Sequence, residues 1–234
     1  MINGKKVLAY IPARSGSKGI PHKNIKLIAG LPLISYSIKA AQQSQFVDRI
    51  IVSTDSEEYA KLCKQYGAEV PFLRPQELAT DDADETDVIH HLLNWLELHD
   101  SEKFDIIIKL QPTSPLRTYK DIDNAIILFK GKVADSIISV SEANVNPLWM
   151  NTLPDDDHMM NFIKEKDAKN RQELKKYYQL NGAVYVSTPG LIIKNNGWIG
   201  DNSYAYKMPR ERSVDIDEPL DLEFVEFLLK KKGD

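Results

Sequence analysis

Short apolar runs alternate with helical patterns along most of this chain, and that alternation limits the fold more than any other feature. Residues 6–11, 49–53, 104–110 and 136–140 are runs of β-branched and other apolar side chains, too short for helices. They lack the polar alternation of a strand wetted on one face, so they are read as strands buried on both faces. Between them lie helical patterns. One, over 33–41, is opened by Pro32; a second ends at Tyr66 before Gly67, with Asp55 and Glu58 forming its capping box; others cover 87–98 and 120–130. Strands separated by helices imply a mostly parallel sheet with right-handed crossovers, an α/β fold with helices on both faces. Ligands in such sheets lie beyond the carboxyl ends of the strands. A short strand over 68–73 is placed at a sheet edge by Pro71; further strands are expected at 181–187 and 203–208, and a last helix at 220–231. From 141 to about 180 the alternation stops, in an irregular arm with Trp149, Met150, Met159 and Met160. Exposed apolar residues on an excursion of this kind mark either a subunit interface or a locally packed flap. No internal repeat or low-complexity linker interrupts the chain, so one domain over 1–234 with an inserted arm is expected.

Two polar loops sit where this sheet places its ligand. The first, Ile11-Pro12-Ala13-Arg14-Ser15-Gly16-Ser17-Lys18-Gly19-Ile20-Pro21-His22-Lys23-Asn24, directly follows the first strand. Its glycines let backbone N–H groups approach an anion, and Arg14, Lys18 and Lys23 neutralise charge. The spacing is neither a Walker loop nor a Gly-x-Gly-x-x-Gly turn. The second loop, Gln111-Pro112-Thr113-Ser114-Pro115-Leu116-Arg117, follows the third strand and is stiffened by two prolines. Arg74 and Arg117 are further cations near these loops.

Composition narrows the ligand. A formal net charge of −4 lacks the basic excess of a nucleic-acid binder, so cations concentrated in two loops point to a small anion. No apolar run reaches the length of a membrane span and no signal-peptide pattern opens the chain, so a cytoplasmic protein is expected. The single cysteine, Cys63, excludes an intrachain disulfide and sits in a helical pattern as a packed thiol. His90 and His91 are adjacent rather than four apart, and the other histidines are scattered, which gives no zinc pattern. Asp81, Asp82 and Asp84 are read as acids favouring the N-terminus of the next helix.

Asp215 and Asp217 flank Ile216 before a helix opened by Pro219. In an extended segment alternate side chains face the same way, so both carboxylates can address one hard cation such as Mg²⁺, which takes oxygen ligands and keeps sites for substrate phosphate. The bland alternative is that one carboxylate caps the last helix. Three to five cations with a metal match the charge of a nucleoside triphosphate. No Ser/His/Asp or Cys/His set is readable, so positioning with metal assistance is the economical chemistry.

These motifs, with Ser53-Thr54-Asp55, Leu73-Arg74-Pro75, Asn181-Gly182-Ala183-Val184-Tyr185 and Ser213-Val214-Asp215-Ile216-Asp217, occur in an order that resembles the bacterial acylneuraminate cytidylyltransferases, the CMP-sialic acid synthetases. The resemblance spans nearly the whole chain and implies a Rossmann-like nucleotidyltransferase sheet with a dimerisation arm. It implies activation of a nonulosonic acid by CTP, with Mg²⁺ or Mn²⁺, to give the CMP-sugar and pyrophosphate in a homodimer. Carried over by position, Arg14, Lys18, Lys23, Asn24, Arg74 and Gln111 hold the nucleotide, with Arg14, Lys23 and Asp215 at the chemistry. Asp215 and Asp217 match the metal-binding aspartates, and Gln111, Arg171, Asn181 and Tyr185 lie where the sugar is expected. Gln179 stands where some sialic acid synthetases carry arginine, and Lys175 where proline is frequent, while residues 146–154 resemble members that activate legionaminic acid. The remaining alternatives are a CMP-Kdo-type synthetase and a catalytically silent nucleotide-binding regulator.

Overall fold

The computed structural model describes residues 2, 4–17, 19–160, 162, 163 and 170–233, apart from the side chains of Arg171 and Lys232. In chain order the regular elements are β1 (Val7–Pro12), β2 (Leu27–Ile28), β3 (Leu31–Pro32), α1 (Leu33–Gln42), β4 (Arg49–Ser53), α2 (Glu57–Gln65), α3 (Glu85–Asp100), β5 (Ile106–Lys109), α4 (Tyr119–Gly131), β6 (Ser136–Glu142), β7 (Tyr178–Ser187), α5 (Pro189–Asn195), β8 (Ser203–Lys207) and α6 (Pro219–Gly233). Six strands form one sheet in the order β4-β1-β5-β7-β6-β8, and β2 with β3 makes a small separate hairpin.

The sheet is mostly parallel, as the alternation implies: β1 pairs in parallel with β4 and β5, and β6 with β8. Only β7 runs the other way, between β5 and β6. The cause lies in the arm. The chain leaves the end of β6 at Glu142 and re-enters opposite it at Tyr178, so no crossover carries it back to the far edge. The arm therefore covers 143–177, slightly less than the expected 141–180, because residues 141, 142 and 178–180 are paired strand.

Residues along β1 show the layering. Val7, Ala9 and Ile11 face α1 and α4, against Ile34, Ile38, Ile122 and Ile126, while Leu8 and Tyr10 face Val88, Ile89 and Leu92 of α3. Both faces are buried, which explains the unbroken apolar runs. A third cluster joins Ile20, Ile28, Leu33, Leu116, Ile216 and Val225. It fastens the first loop, the hairpin and the segment before α6 to one another.

Three local expectations change. Ser56, not Asp55, caps α2, its hydroxyl accepting from Tyr59 N. The expected strand at 68–73 is reduced to a single parallel bridge between Ile51 and Glu69, since Pro71 leaves it no further donor there. Pro32 closes β3 and occupies the N-cap of α1 instead of its first turn, while the helix begins at Leu33 as expected. Cys63 is buried, which pushes its thiol up to about 12. Among the described residues no helix is long and apolar enough to cross a membrane.

Candidate active site

The carboxyl ends of β1, β4 and β5 open into a cleft of about 380 Å³. Its floor is set by the first loop. Ala13 N donates to Ser53 O at 2.9 Å, which carries the β1–β4 ladder one residue further. Ser15 then gives both its N–H, at 2.8 Å, and its hydroxyl, at 2.7 Å, to the carboxylate of Asp55. Asp55 thus shapes the anion loop instead of capping a helix. Asn24 is buried, and its amide donates to Arg14 O at 3.1 Å, closing the loop on itself.

The basic loop is also bound to the aspartate segment. Lys23 Nζ donates to Ile216 O at 2.7 Å and lies 3.5 Å from Asp217 Oδ1. At Gly19 an added Cβ would stand 2.8 Å from the Asp217 carbonyl oxygen, so only glycine allows this approach. Arg14 pairs with Asp81 at 2.5 Å across the cleft mouth, both partly exposed. Arg74 is buried and fixed from behind, donating to Ser53 Oγ at 3.0 Å and Ser53 O at 2.7 Å. Arg14, Lys23, Asn24, Arg74 and Gln111 all line the cleft. Lys18 lies outside the described residues.

A second cavity, of about 680 Å³, lies beside the first and is lined by Gln179, Asn181, Arg210, Asp215 and Phe224 among others. The wall between them is an irregularity in β7. Ile138 pairs with Tyr185 and Val140 with Leu180, so residues 181–184 of β7 face only Ser139. The bulge is tied down by side chains. Ser139 Oγ donates to Asn181 Oδ1 at 2.6 Å and accepts from Val184 N at 2.8 Å; Asn181 Nδ2 donates to Ser213 Oγ at 2.9 Å. At its crest Gly182 has φ of +67°, and a Cβ there would drive into the Gln111 side-chain oxygen and stand 3.5 Å from Asp215 Oδ2. Gln111 of the first cavity and Asp215 of the second therefore meet across a residue that has no side chain.

The aspartate pair fits a hard divalent cation. Asp215 Oδ1 is buried without a hydrogen-bond partner. Burial raises the Asp215 pKa above the usual carboxylate range, the charge of Asp217 adds to the rise, and Thr113 and Lys23 oppose it. An unbonded, desolvated carboxylate oxygen beside a second carboxylate is what a cation would stabilise. No group of three or more His, Cys, Asp or Glu side chains able to hold a metal occurs among the described residues. A cation at this pair would complete its shell with water and ligand oxygens. Among the described bonds neither aspartate side chain accepts from α6; Asp221, in the first turn of that helix, instead reaches back to accept from Asp217 N and Glu218 N.

Some expected groups lie elsewhere. Arg117 does not line the cleft: it is buried and donates to Gln111 O at 3.2 Å and Ala183 O at 2.9 Å, pinning the second loop to the bulge. Burial lowers its pKa to about 10, with Asp121 opposing the fall. Tyr185 lines neither cavity; it packs on Trp198 with Lys109 Nζ 4.2 Å over its ring, because its position in β7 faces α3. Asn181 reaches the second cavity wall, but its described bonds are internal, which makes it a strut for the bulge. Arg171 belongs to a 3-10 turn in the arm and its side chain lies outside the described residues. Sequence reasoning missed the loop-shaping role of Asp55, whose only signal was its place after β4. It also missed Asp121, which accepts from Arg212 Nε at 3.0 Å and so anchors the turn ahead of Asp215.

Comparisons with known proteins agree with this geometry. The cytidylyltransferase family model matches residues 8–188, which contain the first loop, Arg74, Gln111 and the β7 bulge. The CMP-N,N'-diacetyllegionaminic acid synthase of Legionella pneumophila is 36% identical over 228 residues, 96% of this chain and 97% of that protein. The N-acylneuraminate cytidylyltransferase of Escherichia coli is 36% identical over 229 residues, 97% of this chain but 53% of that longer protein. Among solved structures, a CMP:2-keto-3-deoxy-manno-octonic acid synthetase complexed with CTP shares the fold at a TM-score of 0.71 and 18% identity, covering 97% of this chain and 99% of that one. With the cationic cleft, the glycine crest and the aspartate pair in place, the chain belongs to the cytidylyltransferase family.

Proposed function

We propose that this chain joins CTP to a nonulosonic acid, releasing pyrophosphate and forming the CMP-sugar in the cytoplasm, where CTP is held. The observation that carries this reading is the meeting of two cavities at Gln111, Gly182 and Asp215. One is rimmed by Arg14 and Lys23 and suits a triphosphate; the other is larger, mixed in polarity, and suits a sugar acid. A reaction between their occupants takes place at the shared wall.

Arg14 and Lys23 hold the triphosphate, and Lys18 belongs to the same loop. Arg74, Asn24 and Gln111 position the nucleoside. Lys23, bonded to Ile216 O, also fixes the loop that carries the aspartates. Asp215 and Asp217 would hold Mg²⁺ or Mn²⁺, and a bound divalent ion would supply charge neutralisation for the triphosphate. The anomeric hydroxyl of the sugar forms the new O–P bond at the α-phosphate as the bond to pyrophosphate breaks, and the hydroxyl proton passes to water. Geometry does most of the work, since the described residues lining the two cavities include no Ser/His/Asp or Cys/His set. Gln179, Asn181 and Arg171 belong to the sugar side. The exposed arm and the adjoining face of α6 are proposed to pair with a second copy.

Pyrophosphate release with CTP and Mg²⁺ tests the reading, using N-acetylneuraminic acid, diacetyllegionaminic acid and Kdo in parallel. Turnover with either nine-carbon acid and not with Kdo is the expected result. Turnover with Kdo alone would reassign the sugar class. CTP binding without pyrophosphate release in any well would leave a nucleotide-binding regulator as the function.

A further inference from the structure

Tyr10 is fully buried, yet its hydroxyl has no hydrogen-bond partner. The residue lies in β1 on the face toward α3, and it lines the cleft together with Arg74, Glu85 and Val88. The Arg74 guanidinium and the Glu85 carboxylate are the charged groups that act on the phenol. Neither is bonded to it. Arg74 donates to Ser53, and Glu85 Oε2 accepts from Lys109 Nζ at 2.7 Å and Trp198 Nε1 at 3.1 Å. A buried hydroxyl in the same cleft wall as two anchored neighbours, unbonded to both, is costly unless a ligand completes it.

We propose that the Tyr10 hydroxyl is a nucleobase contact, bonding the polar edge of the pyrimidine when nucleotide is bound. This rests on the nucleotide reading above and adds a specificity residue to it. Burial holds the phenol neutral, Arg74 opposing and Glu85 reinforcing that effect, so the group keeps its proton to donate. A neutral hydroxyl acted on oppositely by one cation and one anion has no charge with which to attract phosphate. Around it, Leu78, Ala83 and Val88 offer apolar cover for a flat ring. The phosphates belong instead with Arg14 and Lys23.

The experiment is calorimetry on the full chain, wild type and Tyr10→Phe, with CTP and with inorganic tripolyphosphate, alongside thermal melting of the free protein. The phenylalanine keeps the ring and removes the oxygen. CTP should bind the variant about 3- to 10-fold more weakly, the range of one hydrogen bond. Tripolyphosphate affinity should not change, and melting temperature should hold or rise because an unbonded buried hydroxyl is gone. Equal CTP affinity in both proteins overturns the assignment while leaving the nucleotide reading intact. Parallel weakening of both ligands with a lower melting temperature overturns it as well, in favour of a structural role. Failure of the wild type to bind CTP overturns the nucleotide reading and this inference together.

Discussion

Asp215 is a carboxylate held where its charge is poorly compensated by protein alone, and that makes its role separable from the fold. Its pKa is raised chiefly by burial. A carboxylate with a raised folded pKa binds protons more readily in the native state. Stability is therefore undisturbed below the unfolded value and falls as pH rises through the folded one. Asp215→Asn removes that penalty. At pH 7 to 8, free of divalent ions, the variant should melt at or above the wild type, and the difference should close near pH 4. Added Mg²⁺ should raise the melting temperature of the wild type and not of the variant, because a ligand stabilises only the state that binds it. Turnover should fall by at least about 100-fold. Scanning calorimetry over pH with and without Mg²⁺ checks this, and a variant that melts well below the wild type at neutral pH would refute it. Gly182 makes the opposite case, where fold and site cannot be separated. Gly182→Ala meets a left-handed φ and the Gln111 side chain at once. The conformation alone costs about 1–2 kcal/mol, so a lower melting temperature and more than about a tenfold loss of turnover are expected together. Retained activity would mean the bulge can reshape freely.

At the scale of elements, α4 and its cap hold the aspartate segment in place. Asp121 is buried at the start of α4, where it accepts from Thr118 N and Oγ1 and from both Arg212 Nε and Nη2. Burial pushes its pKa up, but the Arg212 and Thr118 bonds outweigh it and hold the carboxyl below the usual range. Its stabilising effect is therefore complete above the unfolded pKa and is lost as pH falls through the lower folded one. Asp121→Asn should cost about 2 kcal/mol at pH 7, less than a fully buried pair because Arg212 is partly exposed. That corresponds to a fall of about 4–8 °C in melting temperature for a chain of this size. The deficit should shrink below about pH 4; a deficit independent of pH would assign the loss to packing instead. This network also shows where sequence reading stops. The strands on either side of the first loop were legible because burial on both faces leaves no polar alternation, as in Ile106–Lys109. The two loops were legible because they follow such strands. The partners of charged residues were not, since Asp121 and Arg212 are distant in sequence and nothing local announces their meeting. Arg117 looks like Arg14 on the page, and only the path of β7 decides that one is a strut and the other faces the cleft. For the same reason Asp55 reads in the sequence as a helix cap, while in the structure its oxygens serve Ser15.

The whole molecule leaves an apolar surface beside the second cavity. On α6, Val225 is buried and Leu222, Leu228 and Leu229 are packed against the core, while Leu220, Phe224 and Phe227 are exposed. Their spacing of four and three places these last residues on one stripe. Phe224 and Leu180 line the second cavity, and Leu180 and Tyr178 are exposed at the start of β7, where the arm rejoins the sheet. Met150, Met159 and Met160 on the arm are exposed as well. Exposed apolar groups on an arm and on a helix stripe near its root are the two halves an isologous pair would bring together. The protein is therefore expected to elute as a dimer in light scattering. A Leu220→Glu, Phe227→Glu variant, which leaves the cavity-lining Phe224 in place, should be monomeric. It should bind CTP with wild-type affinity, since the cationic cleft lies at β1, β4 and β5. Its turnover with the sugar should fall, because in the proposed dimer the arm of the second copy would no longer cover the second cavity. A wild-type protein that is monomeric at micromolar concentration and still turns over both substrates would show that the arm closes its own cavity, and that the stripe on α6 serves some other contact.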